Sequence, residues 1–364
     1  MKDNIKVTLQ VSIFSFIFTL IPIFIFCSSI RHYNFSKIEY QDLIYKEFTV
    51  ENIEIDLDAE MGDTYYISIC EEEKRIIGGK IMKIIHMIDD YKILCRDIES
   101  MGKYEAYKAY IQKYPYFFEG VLKYLYCQPI ENLKEMIEDV NFHLLLKTAE
   151  ENYETGKVDY IIEFMNKFIK KMNVDFDFSF LIGIEMRNIG GCATPCDTGD
   201  PQLYIGIDKP LDKEKIGMLI SHELYHMLRA YMTQGSTADT VFSRMVEEGL
   251  ASYSSLWAHD MEWNTVNIAK TLCVSEKQAN NLLNNTNALL ERIVNDGEKP
   301  ISVETMTEYF IADMNDVEFP VIGYYVGLYL AHLSIEQGID FESFISMSQN
   351  DIIDMWLKQI KTLK

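Results

Sequence analysis

Ile220-Ser221-His222-Glu223-Leu224-Tyr225-His226-Met227 sits in the middle of a run from Lys213 to Met232 whose apolar positions recur at helical spacing. Asp212 reads as the cap of that helix, and Gly235 marks its end. On a helix, residues four apart lie one turn above each other, so the imidazoles of His222 and His226 can reach one ion. Glu223 is rotated toward the place where that ion would hold a water. With only 7 histidines in 364 residues, a chance His-Glu-x-x-His is expected in about one per cent of such chains. A catalytic zinc site takes three protein ligands and leaves the fourth position to water, so the pattern predicts a third ligand elsewhere.

Downstream, Met245-Val246-Glu247-Glu248-Gly249-Leu250-Ala251 falls in a second helical stretch that starts near Asp239. Glu248 stands twenty-two residues beyond His226, and Gly249 would let a second helix approach the metal closely. Glu247 is an alternative ligand, because one helical step turns a side chain by only about 100°. A plainer reading makes both glutamates solvated helix residues and the histidines a structural zinc clip. Upstream, Phe176, Phe178, Phe180 and Ile182 alternate with Asp177, Ser179 and Leu181 at the period of a strand. Leu203-Tyr204-Ile205-Gly206-Ile207 offers a second short strand after a loop through Gly190, Gly191 and Gly199. The expected class is α+β, predominantly helical, with a small sheet.

Together, His222-Glu223-x-x-His226 and Glu248-Gly249-Leu250-Ala251 resemble the gluzincin group of zinc peptidases, and bacterial domains described as zinc-dependent proteases, over about residues 175 to 335. The resemblance implies a zincin-like domain that hydrolyses peptide bonds with one Zn2+ per chain. It implies Glu248 as the third ligand and Glu223 as the base that activates water. It also implies an edge strand before the metal helix, on which an extended substrate lies through main-chain hydrogen bonds; Leu203, Tyr204, Ile205 and Gly206 occupy that place. Some members carry a Tyr-x-x-Gly segment whose tyrosine stabilises the oxyanion, and Tyr324-Tyr325-Val326-Gly327 has that form with Tyr324. Many place an Asp four residues after the Glu ligand; here that residue is Ser252. The competing function is an exported zinc-containing protein that binds peptides without cutting them.

With 34 basic against 56 acidic residues and a net charge of -22, the chain repels phosphate backbones, so nucleic acid is not an expected partner. Lys167, Lys170 and Lys171 read as a solvated helix face. Lys2 and Lys6 precede an uncharged run from Val11 to Phe26. This reads as an export signal, with Cys27 and Ser29 before the cut, or as a membrane anchor over residues 7–30. Lipidation at Cys27 is disfavoured by the bulky Phe26 before it. The body is therefore expected outside the cytosol, touching a membrane only through this segment. The organisation read from these patterns is 1–30 signal or anchor, 31–174 a helical region, and 175–364 the zincin-like domain. The helical region includes Tyr104 to Tyr114, Leu133 to Leu146 and Tyr160 to Met172. His86 and His143 are assigned no ligand role. The 7 cysteines are too widely spaced for a disulfide scaffold, Cys192 and Cys196 being the one pair able to close a local bridge.

Overall fold

A computed structural model describes residues 72–77, 80–126, 129–173, 178–186, 190–194, 202–233, 239–310 and 318–363. The readings for the N-terminal apolar segment, for Asp175 to Asp177 and for Cys196 lie outside these residues. The fold is α+β and predominantly helical, as expected. Its strands are β1 (Glu72–Ile77), β2 (Lys80–His86), β3 (Ser179–Gly183), β4 (Gly191–Thr194) and β5 (Gln202–Gly206). They form one sheet in the order β1-β2-β3-β5-β4. The three central strands run parallel, with Phe180 opposite Leu203 and Ile84 opposite Phe180, while β1 and β4 are antiparallel edges. Strands β3 and β5 are almost wholly buried, which is what an interior strand of a covered parallel sheet requires.

Two strands of this sheet come from the stretch read as purely helical. In Lys80-Ile81-Met82-Lys83-Ile84-Ile85-His86 the apolar residues cluster rather than alternate, and a short run of that kind has no period that separates strand from helix. Because β2 pairs with β3, a boundary at 174/175 does not divide two cores. The buried apolar side chains form one cluster from Ile84 to Ile360.

The helices before β3 are α1 (Ile88–Met101), α2 (Lys103–Ile111), α3 (Pro115–Gly120), α4 (Lys134–Asp139), α5 (Phe142–Glu154) and α6 (Lys157–Met172). The stretch from Leu133 to Leu146 is broken between α4 and α5, because Asn141 accepts a hydrogen bond from Leu144 N and so starts a new helix. Polar side chains of these helices hold the chain where it leaves the sheet. Tyr110 donates to Ile184 O at 2.8 Å, and Asn152 donates to Ile207 O and Lys209 O, both at 2.9 Å. His86 meets the Tyr153 hydroxyl at 2.7 Å, and His143 is exposed. Lys171 is more than a solvated lysine, since it donates to Trp257 O and Asp260. Cys95, Cys192 and Cys273 are free thiols.

After the sheet come α7 (Lys213–Met232), α8 (Val241–Ala258), α9 (Thr265–Thr271), α10 (Glu276–Asn284), α11 (Thr286–Asp296), α12 (Val303–Tyr309), α13 (Ile322–Glu336) and α14 (Gln349–Leu363). Helix α7 has the limits read from the sequence, and Asp212 caps it by accepting from Lys215 N at 3.0 Å. Helix α8 starts on a reciprocal cap between Thr240 and Ser243. The two helices meet through small residues: Ser254 donates to Ser221 O and Ser255 to Met218 O, each at 2.9 Å. Gly249 serves a different contact from the one expected, since it faces α13 rather than the metal helix. A Cβ at Gly249 would lie 2.3 Å from Gly327 Cα, and one at Gly327 would lie 2.3 Å from Met245 O. Both obstacles are backbone and cannot swing aside. Gly249→Ala is therefore expected to lose at least about 2 kcal/mol in urea unfolding, whereas wild-type stability would mean that α8 and α13 are free to part.

Candidate metal centre

Helix α7 is buried from Ile216 to Arg229, and α8 packs along it, so His222, His226 and Glu248 are all inside the protein. Their ligating atoms converge. His222 Nε2 and His226 Nε2 are 3.2 Å apart, and Glu248 Oε2 lies 3.5 Å from the first and 3.4 Å from the second. Three ligands at zinc–nitrogen and zinc–oxygen distances of about 2.0–2.1 Å in tetrahedral directions would be separated by about 3.4 Å. The triangle therefore has the dimensions of one face of a tetrahedral shell. Glu248 Oε2 is buried and faces the two imidazoles, with no other partner among the described residues, a position that suits a carboxylate facing a cation. Two imidazoles and a carboxylate are a donor set that zinc takes. Among the described residues these three are the cluster able to hold a metal ion.

The neighbouring residue does something else. Glu247 accepts from Arg229 Nε at 2.9 Å, so its carboxylate is turned toward α7's far side. Arg229 is fully buried and also donates to the carbonyls of Phe344 and Met347, tying α7, α8 and the C-terminal segment together. Burial pulls the Arg229 guanidinium down, but the Glu247 carboxylate outweighs it and holds the side chain protonated. At Glu248, burial pushes the carboxyl up. The Arg244 guanidinium and the hydrogen bonds from His222 and His226 prevail, keeping it well below the usual carboxylate range. Neither arginine was singled out in the sequence, although Arg244 stands one helical turn before Glu248, a spacing that brings such side chains together.

Glu223 is buried beside the sheet's edge. A Cβ at Gly191 would lie 3.3 Å from Glu223 Cγ and 3.3 Å from Leu219 Cδ2, so β4 passes directly over this turn of α7 because residue 191 is glycine. Tyr324 is brought to the site by α13, its ring stacked on His222 with centroids 6.4 Å apart and planes at 23°. Tyr325 turns away to the Thr286 hydroxyl, 2.5 Å distant. Leu203, Tyr204, Ile205 and Gly206 are not an exposed edge. Strand β5 is hydrogen-bonded on both sides, to β3 and to β4, and Leu203, Tyr204 and Ile205 are fully buried. Sequence order put β5 nearest the metal helix, but the chain doubles back through β4 and places that strand outermost. Ser252 is buried, and its hydroxyl makes no hydrogen bond among the described residues.

Breaking the Arg229–Glu247 pair from one side would leave a half-buried carboxylate without its cation. Arg229→Met is expected to lower stability by about 3–5 kcal/mol, measured by denaturant unfolding of the metal-free protein. A loss below about 1 kcal/mol, the range of exposed pairs, would show that the pair does not fix α7 against α8.

Residues 98–350 match the family model described as "Putative zinc dependent peptidase (DUF5700)". No curated protein and no solved structure matches the chain. The matched span covers β2's partner strand β3, the edge strand β4, and all three clustered residues on α7 and α8. By that match over more than half its length, the chain belongs to DUF5700, the family described as putative zinc-dependent peptidases.

Proposed function

We propose that this chain hydrolyses peptide bonds as a gluzincin-type peptidase, with one Zn2+ held by His222, His226 and Glu248. The observation that carries the reading is the triangle of three buried ligand atoms with sides of 3.2, 3.4 and 3.5 Å. Zinc bound there supplies Lewis-acid polarisation and brings the pKa of a water toward ~7. Glu223, on the turn of α7 between the two histidines, takes the proton from the attacking water and returns it to the leaving nitrogen. Tyr324, against His222, donates its hydroxyl to the oxyanion as it develops.

The substrate lies along β4, the sheet edge that passes over Glu223, and adds to the sheet through main-chain hydrogen bonds. The backbone at Gly191 runs close over Glu223, so a peptide on this edge has its carbonyl groups near the base. An extended peptide or protein is the substrate class, and the charge of -22 speaks against nucleic acid. The lysines and uncharged run of residues 2–26 support an exported body, tethered or released at its N-terminus. No helix among the described residues is long and apolar enough to cross a membrane.

Zinc per chain, measured after dialysis, is expected to be one in the wild type and in Glu247→Gln, and to be lost in His222→Ala and Glu248→Gln. Zinc retained by Glu248→Gln would remove Glu248 from the ligand set. Glu223→Gln is expected to keep its zinc and cut peptide turnover by at least 10²-fold, the scale of a positioned general base. Turnover at the wild-type rate in that variant would leave a zinc-containing peptide binder, or a different base, as the better account.

A further inference from the structure

His222 and His226 share one helix and are aligned by its geometry, whereas Glu248 comes from another helix and is aimed by a side-chain contact. We propose that Arg244 is the positioning residue of this centre, holding the Glu248 carboxylate so that one oxygen faces the two imidazoles. The inference rests on the zinc reading above and goes beyond it, because it assigns the support of the ligand set.

The geometry divides the carboxylate in two. Arg244 Nη2 donates to Glu248 Oε1 at 3.0 Å, which leaves Oε2 directed at both Nε2 atoms. Arg244 is itself clamped. Its guanidinium lies 5.4 Å from the centre of the Phe310 ring. Phe310 meets Tyr324 edge to face at 6.0 Å, and Tyr324 stacks on His222. The contacts therefore close a circuit around the cluster, from His222 through Tyr324, Phe310 and Arg244 back to Glu248.

A purely space-filling role fits poorly. Arg244 is 1% exposed, and its Nε and Nη1 atoms have no hydrogen-bond partner among the described residues. Burying a guanidinium with donors unused is costly, and an unbranched apolar side chain would fill the same path without that penalty. Such departures from packing rules concentrate where function demands them. In the resemblance noted for the sequence, the support of the ligands is an acid one turn after the glutamate. Here that position is Ser252, whose hydroxyl has no hydrogen-bond partner among the described residues. The supporting charge has moved one turn before the glutamate and changed sign, from an anion beside a ligand to a cation on the carboxylate.

The test uses the full chain with Arg244→Lys and Arg244→Met. Zinc affinity is read by competition with a chromophoric chelator, ligand geometry by the visible absorption of the Co2+-substituted protein, and folding by unfolding of the metal-free form. Arg244→Met is expected to bind zinc roughly 10–100-fold more weakly, the usual scale for loss of an outer-shell partner, with a shifted cobalt spectrum. Arg244→Lys keeps the charge but offers a single ammonium in place of the planar fork, and is expected to fall between the wild type and Arg244→Met. If Arg244→Met fails to fold, Arg244→Lys decides: weakened zinc binding with a shifted spectrum supports the assignment, and wild-type values for both overturn it. A wild-type chain that takes up no zinc overturns the metal reading and this one with it. Wild-type zinc uptake matched by both variants overturns this one alone.

Discussion

A metal held by His222 and His226 would take its third ligand from a different helix, and the convergence of Glu248 on the two imidazoles organises the rest of the molecule. Two imidazoles one turn apart need only a helix. A carboxylate from α8 must arrive within a few tenths of an ångström of the same point, so α8 must be fixed in both rotation and height against α7. Three kinds of contact do this. Ser254 and Ser255 bond to the α7 backbone, which sets the height and keeps the helices close. The Arg229–Glu247 pair fixes rotation, since it turns residue 247 outward and so turns residue 248 inward. Gly249 and Gly327 then let α13 press on α8 from its other side, bringing Tyr324 against His222.

The same constraint explains which parts of the site were legible in the sequence. His222, Glu223 and His226 were readable because their relation is local: a helix of period 3.6 places them without any help from the fold. Glu248 was readable ahead of Glu247 through the Glu-Gly-x-Ala resemblance, whereas the contact that occupies Glu247, with Arg229 eighteen residues before it, was visible only in three dimensions. Gly249 was singled out for the right property, close approach, and for the wrong helix, because sequence shows that a Cβ is missing but not which neighbour fills the space. The strands show a similar limit. β3 and β5 carried their own signal, yet β5 was taken for the edge because it is nearest the metal helix along the chain. Edge position is a matter of hydrogen-bond pairing between distant segments, and the short β4 between two loops gave no periodicity from which to read it.

The electrostatics run against the composition. A chain with net charge -22 has placed two of its few arginines, 229 and 244, where almost no water reaches them. Each is paired with one of two adjacent glutamates on α8. Neighbouring carboxylates in a buried site would repel each other and tend to take up protons. One cation for each separates their tasks. Glu247 binds helix to helix, and Glu248 offers an oxygen to the cluster. An isolated Glu-Glu sequence on an exposed helix face would carry no such division, so the buried arginines are what distinguish this pair from an ordinary acidic turn.

The helices before β3 belong to the same physical unit as the site. They supply β2's continuation into the core, and their side chains hold the backbone at Ile184, Ile207 and Lys209. Glu185 follows immediately, buried, with Tyr107 and Tyr126 donating to its carboxylate and its amide bonded to Asp208. These are the points where the chain leaves β3 toward β4 and leaves β5 toward α7. A shift of either exit would move the edge strand over Glu223 or tilt the helix that carries both histidines. The sheet meets that helix through β4, an edge strand of four residues. Its alignment with the metal helix is therefore set from the N-terminal side, by hydroxyl and amide groups that have no part in the chemistry, and a catalytic unit cut at residue 175 would lack the groups that hold it in register.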